Sequence, residues 1–89
     1  MEKVKEVQKM RIRKQPLGTS NITGKRIEEL RKEKGYKQKY IVDKLKIRGI
    51  DITISSFSKI EGQTRQVADY ELAAIADILD VSVADLLQL

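Results

Sequence analysis

GKRIEELRKEKGYKQKYIVDKL, residues 24–45, reads as two short helices divided by a glycine. Ile27, Leu30 and Arg31 fall at i, i+3 and i+4, one face of a helix. Gly35 stands where a glycine past the last turn closes a helix. The second helix, in KQKYIVDKLKI, turns Ile41, Val42 and Leu45 inward. It starts at Lys37 or Gln38, neither of which is a strong N-cap.

Toward the C-terminus, RGID with Gly49 and Asp51 is turn-like, and Ile50, Ile52 and Ile54 alternate with polar residues as in a brief extended segment. Thr53 is placed to cap a third helix, ISSFSKIE, with Phe57 and Ile60 inward and Gly62 ending it. Asp69 is expected to cap a fourth, with the stripe Leu72, Ile75, Ala76, Leu79. Ser82 and Asp85 form a capping-box pattern for a fifth helix, VADLL, with Val81 and Leu86 at staple positions. The loop at 48–53 is expected to be the longest interruption. Toward the N-terminus, the single proline, Pro16, lies in the loop-like QPLGTSN. Before it, Val4, Val7 and Met10 recur at helical spacing, Met10 and Ile12 alternate as in an extended arm, and a frayed solvated tail fits equally.

At 89 residues the chain has room for one small domain. Such a chain hides only about 60–65% of its unfolded surface, which leaves little protein to wall an active-site cavity. Apolar residues at 40% and charged residues at 35% fit a folded helical domain better than a disordered chain. Cys and His are absent, which excludes zinc fingers, disulfide scaffolds, thiol redox sites, His-activated nucleophiles and c-type haem attachment. The carboxylates, Lys and Tyr that remain form no recognisable catalytic pair, so no enzyme, metal or cofactor is expected. Phe57, Tyr36, Tyr40 and Tyr70 are few for a base-stacking platform. Glycines 35, 49 and 62 interrupt every candidate heptad run.

The net charge of +5 conceals two opposite halves. Residues 1–50 hold 16 Lys/Arg against 6 Asp/Glu, a net of +10, and residues 51–89 hold 2 against 7, a net of −5. The start, MEKVKEVQKMRIRK, has no apolar run of signal-peptide length, and no stretch approaches the ~20 apolar residues of a membrane span. A cytoplasmic protein without a membrane partner is expected.

Two short helices joined by a tight turn, among helices too small to stand alone, make a helix-turn-helix layout. Over residues 24–87 the order and spacing resemble the Cro/phage-repressor (XRE) family of DNA-binding domains. The matching strings are the stretch quoted above and ISSFSKIEGQTRQVADYELAAIADILDVSVADLL, residues 54–87. They carry a helix, Gly35, Gln38 opening the second helix, Ile60–Glu61 late in the third, and a fourth helix ending in L-x-V-S-x-x-x-L-L. The resemblance implies an all-α, five-helix, lambda-repressor-like domain over residues 24–89, preceded by a basic N-terminal tail over 1–23. It implies a sequence-specific double-stranded DNA-binding transcriptional regulator, most simply a repressor, acting as a homodimer. The alternative is an antitoxin or adaptor that uses the same fold to hold a protein partner through the acidic C-terminal half.

On that resemblance the third helix enters the major groove with Ile54, Ser55, Ser56, Ser58 and Lys59 outward. No Arg, Gln or Asn stands there to pair bidentately with a purine, so direct readout is expected to be modest and shape readout larger. The same serines equally suit a packing helix that merely faces water. Gln38 is expected to bond a phosphate and brace the third helix, with Lys37 and Lys39 beside it. Gln63, Thr64 and Arg65 form a polar loop placed for the next phosphates. Lys25, Arg26, Lys32 and Lys34 read as a solvated face, and Lys44 and Lys46 fit either role. Arg31 and Glu61 put opposite charges on inward faces, which points to a partly buried pair between the first and third helices; two unrelated exposed charges are the alternative. Two departures from the family pattern bear on docking angle: Val42 replaces a small Ala, and the 46–53 connector is long. Leu86, Leu87 and Leu89 either form a dimer surface or finish the core.

Overall fold

A helix leaves its first amides and last carbonyls without partners, and what meets them sets where each element begins and ends. The computed structural model describes residues 16–89; the readings of residues 1–15 as helix, arm or tail lie outside the described residues. Five helices follow one another: α1 (Gly24–Glu33), α2 (Gln38–Ile47), α3 (Ile54–Glu61), α4 (Asp69–Leu79) and α5 (Val83–Leu87). The described residues include no strand.

α1 closes in a Schellman turn, with Tyr36 N–H donating to Arg31 O, Gly35 N–H to Lys32 O, and Gly35 at φ 75°. α2 repeats the device through Gly49, with Ile50 N–H on Leu45 O. Thr53 Oγ1 caps α3 by accepting from Ser56 N–H at 3.0 Å, and Ser82 Oγ caps α5 by accepting from Asp85 N–H at 3.0 Å.

Two expectations are corrected. Asp69 is the first residue of α4 and not its cap; Ala68 takes that position, and its N–H donates to the Glu71 carboxylate at 2.9 Å. Glu71 thus supplies the reach-back half of a capping box, while Asp69 and Glu71 set negative charge against the positive end of the helix. Gly62 ends α3 as expected, at φ −81°, and the left-handed residue that follows is Gln63, at φ 62°. Gln63 holds there because its N–H bonds Ile60 O, Thr64 N–H bonds Lys59 O, and its own side chain is anchored. The longest connector is 62–68, between α3 and α4, rather than 48–53.

Ile27, Ile41, Leu45, Phe57, Ile60, Ile75, Leu79 and Leu86 are fully buried in one core. Each side chain of this size contributes about 1.5–3 kcal/mol by leaving water. α1 packs on α3, α4 and α5, and α2 on α3 and α4, so α3 is gripped from two sides. Val42 is buried beside them, and Ile50 and Ile52 bring the α2–α3 connector onto the core. Leu86 belongs to this core, leaving half-buried Leu87 and exposed Leu89 as the free leucines of that end.

Residues 18–23, assigned from composition to the tail, are bonded to the domain. Gly18 N–H donates to Gly62 O and Ser20 N–H to Gln63 O. Gly24 lets α1 begin against the end of α3, since a Cβ there would lie 2.0 Å from Ile60 O. The boundary expected between residues 23 and 24 leaves Asn21 in the tail, although its side chain is bonded to the first turn of α1 and the last turn of α3.

Candidate nucleic-acid interface

α3 turns Phe57, Ile60 and Glu61 inward and leaves Ile54, Ser55, Ser58 and Lys59 exposed. Ser56, expected outward, is half-buried where its N–H meets the Thr53 cap. Lys59 has no ion-pair partner among the described residues, so its charge is unspent on that face.

The helix is oriented by a charged junction. Arg31 Nε donates to Glu61 Oε2 at 2.6 Å and Arg31 Nη2 to Glu61 Oε1 at 3.0 Å, while Nη1 donates to Tyr36 O. Gln38 Nε2 adds a bond to Glu61 Oε1 at 2.9 Å. One carboxylate, 2% exposed, therefore collects donors from α1 and α2. A buried pair is weak support for stability because desolvation offsets its attraction, but its bidentate geometry permits one orientation of α3.

Gln38 thus spends one amide hydrogen on bracing α3 and stays half-buried at the first turn of α2. No side chain caps that turn. Lys39 is bonded to Asp43 at 2.8 Å, but both are well exposed, and such i, i+4 pairs are worth only about 0.3–0.5 kcal/mol. Beside them the Tyr36 and Tyr40 rings lie 4.3 Å apart, with Lys44 Nζ 5.4 Å from the Tyr40 centroid. Arg26 and Lys32 pair with Glu29 and Glu28 along the outer face of α1.

The loop after α3 differs from what its polarity implied. Gln63 directs its amide inward, donating to Asn21 O at 2.8 Å. Arg65 is held by Glu71 through two bonds of 3.0 and 3.1 Å and by Gln66 O. The bond from Arg65 keeps the buried Glu71 carboxyl below its usual range against the opposing effect of burial, and Glu71 in turn raises Arg65. Of the three loop residues, Thr64 is exposed and the other two are half-buried.

Asn21 has no role in the sequence reading, and it is the most heavily bonded side chain among the described residues. Its Oδ1 accepts from Gly24 N–H at 2.7 Å and Thr23 N–H at 3.0 Å, while its Nδ2 donates to Ile60 O and Arg65 O. The available signal was an Asn just before a helix start. Glu71 was readable too, as the acidic residue three after a cap position.

A short exposed helix, braced by a second helix across the 48–53 connector and carrying small polar side chains and a lysine without an ion-pair partner among the described residues, is the arrangement of a helix-turn-helix DNA-binding domain. The family model of the Cro/C1-type HTH DNA-binding domain matches residues 26–89, and the chain belongs to that family. No curated protein and no solved structure matches the chain. No helix among the described residues is long and apolar enough to cross a membrane.

Proposed function

We propose that the chain is a sequence-specific binder of double-stranded DNA that regulates transcription, most simply as a cytoplasmic repressor occluding a promoter. The observation that carries this reading is α3, which buries Phe57, Ile60 and Glu61 and offers Ile54, Ser55, Ser58 and Lys59 from a domain of a DNA-binding family. Lys59 reaches a guanine edge, Ile54 meets a thymine methyl, and the serines donate or accept. Lys37, Lys39, Thr64 and the outer amide hydrogen of Gln38 meet phosphates; Gln63 and Arg65 shape the loop more than they touch it. A face this sparing in bidentate donors draws much of its selectivity from duplex shape. One small domain makes few contacts, which favours a homodimer on half-sites about 34 Å apart.

Selection of bound sequences from a random duplex library tests the reading, with an enriched palindrome expected. The other reading, an antitoxin or adaptor holding a protein partner, draws on exposed Ile54 and on the acidic C-terminal half. A salt series separates the two. A DNA binder loses about 0.9 in log K per phosphate contact per decade of salt, whereas a flat response to salt favours the protein partner.

A further inference from the structure

We infer that Asn21 is a positioning residue for the DNA interface, setting the end of α3 and the loop after it against the start of α1; its effect on binding rests on the DNA reading above. The side chain uses both of its ends. Oδ1 takes the N–H groups of Thr23 and Gly24, capping the first turn of α1. Nδ2 spends its two hydrogens on Ile60 O at 3.1 Å, in the last turn of α3, and on Arg65 O at 2.8 Å, in the loop beyond. The main-chain carbonyl of Asn21 accepts from the Gln63 side-chain amide, and Ser20 N–H donates to Gln63 O. Three backbone segments thus converge on one residue outside the reading face.

The convergence holds Gln63 at φ 62°, a conformation that a residue other than glycine keeps only when its surroundings over-determine it. Between the two carbonyls that Asn21 binds lie Glu61, Gly62, Gln63 and Thr64, so where Thr64 stands relative to Lys59 follows from the span of one amide. Only an amide serves here: an acceptor alone caps α1 but leaves Ile60 O and Arg65 O without their donor, and a donor alone frees the first turn of α1.

Asn21→Asp separates the two jobs, since it keeps the capping oxygen and removes both hydrogens. Two measurements decide the role, each made where circular dichroism shows the variant folded. The first is amide exchange in the free protein. Exchange is expected to quicken at Gln63 and Thr64, whose N–H groups bond Ile60 O and Lys59 O, while core amides such as those of Ile41 and Ile75 keep their protection. Unchanged exchange in the loop, or a uniform rise through the core, overturns the inference. The second is affinity for a duplex selected by the wild-type protein, expected to fall about tenfold, the scale of one lost hydrogen bond. Ile75→Val and Ile75→Ala, which loosen the core away from the interface, serve as controls and are expected to bind as the wild type does while folded. Should they lose affinity in the same proportion to melting temperature as Asn21→Asp, the role is structural alone and the inference fails. A wild-type protein that binds no duplex overturns the DNA reading instead, and the exchange pattern then decides by itself whether Asn21 sets the loop.

Discussion

Glu61 carries a charge at 2% exposure and is compensated by three hydrogen bonds, two from Arg31 and one from Gln38. Removing it leaves Arg31 buried without a counter-charge, so Glu61→Ala is expected to cost about 3–5 kcal/mol, a large share of the ~5–15 kcal/mol that holds a domain folded. Arg31→Met combined with Glu61→Leu is expected to recover much of that loss, since neither side chain then needs a partner. Urea titration reads both, and an unchanged midpoint for Glu61→Ala sinks the argument. Glu71 adds a prediction about pH. Its carboxyl is held below the usual range, chiefly by the bond from Arg65. The stability this supplies is complete above the unfolded value of about 4.3 and is lost as pH falls through the lower folded value. Glu71→Gln has no such proton to gain. The gap in melting temperature between wild type and Glu71→Gln is therefore expected to be widest near pH 7 and to narrow below about pH 4. A gap independent of pH contradicts this.

At the scale of elements, α3 offers the sharpest test of the interface. If Lys59 touches a phosphate, Lys59→Ala lowers the slope of log K against log salt by about 1; if it reads a guanine, discrimination at one base pair relaxes by about 1–3 kcal/mol. Binding across a set of single-base duplexes at several salt concentrations distinguishes the two, and no change in either quantity removes Lys59 from the interface. Thr53→Ala is expected to cost about 1 kcal/mol of stability through the lost cap. The existence of the helices was readable because each carries its own local signal: Ile27 with Leu30, Phe57 with Ile60, Gly35 and Gly49 at the stops, Thr53 and Ser82 at the starts. What the sequence did not disclose depends on how separate elements pack. Arg65 carries a cation suited to phosphate, and only the packing of α4 reveals that Glu71 occupies it. Gln63 looks like a solvated loop amide until Asn21, 42 residues earlier, accepts from it. Gly62 marks the helix stop, but the left-handed conformation one position on, at Gln63, has no glycine to announce it.

For the whole molecule, the division of charge and the anchor at 18–23 together set how the chain can be shortened. Residues 1–15 hold six of the basic groups against two acidic ones, while the bonds from Gly18, Ser20 and Asn21 belong to the domain. A chain beginning at Pro16 keeps all of these bonds. One beginning at Thr23 loses the α1 cap and the bonds to α3, and is expected to be less stable by about 2–4 kcal/mol. Thermal melts of the two chains check this; equal melting temperatures would mean that the anchor contributes nothing. The chain beginning at Pro16 then isolates what the basic residues do at the duplex. Each phosphate they neutralise adds about 0.9 to the salt slope without adding base information, so their loss is expected to flatten the slope and leave the preferred sequence unchanged. A changed sequence preference would instead assign base contacts to residues 1–15. Carrying the melts and the salt series on the same two chains matters, because affinity lost by the chain beginning at Thr23 would otherwise be credited to missing cations when its cause is a displaced 62–65 loop.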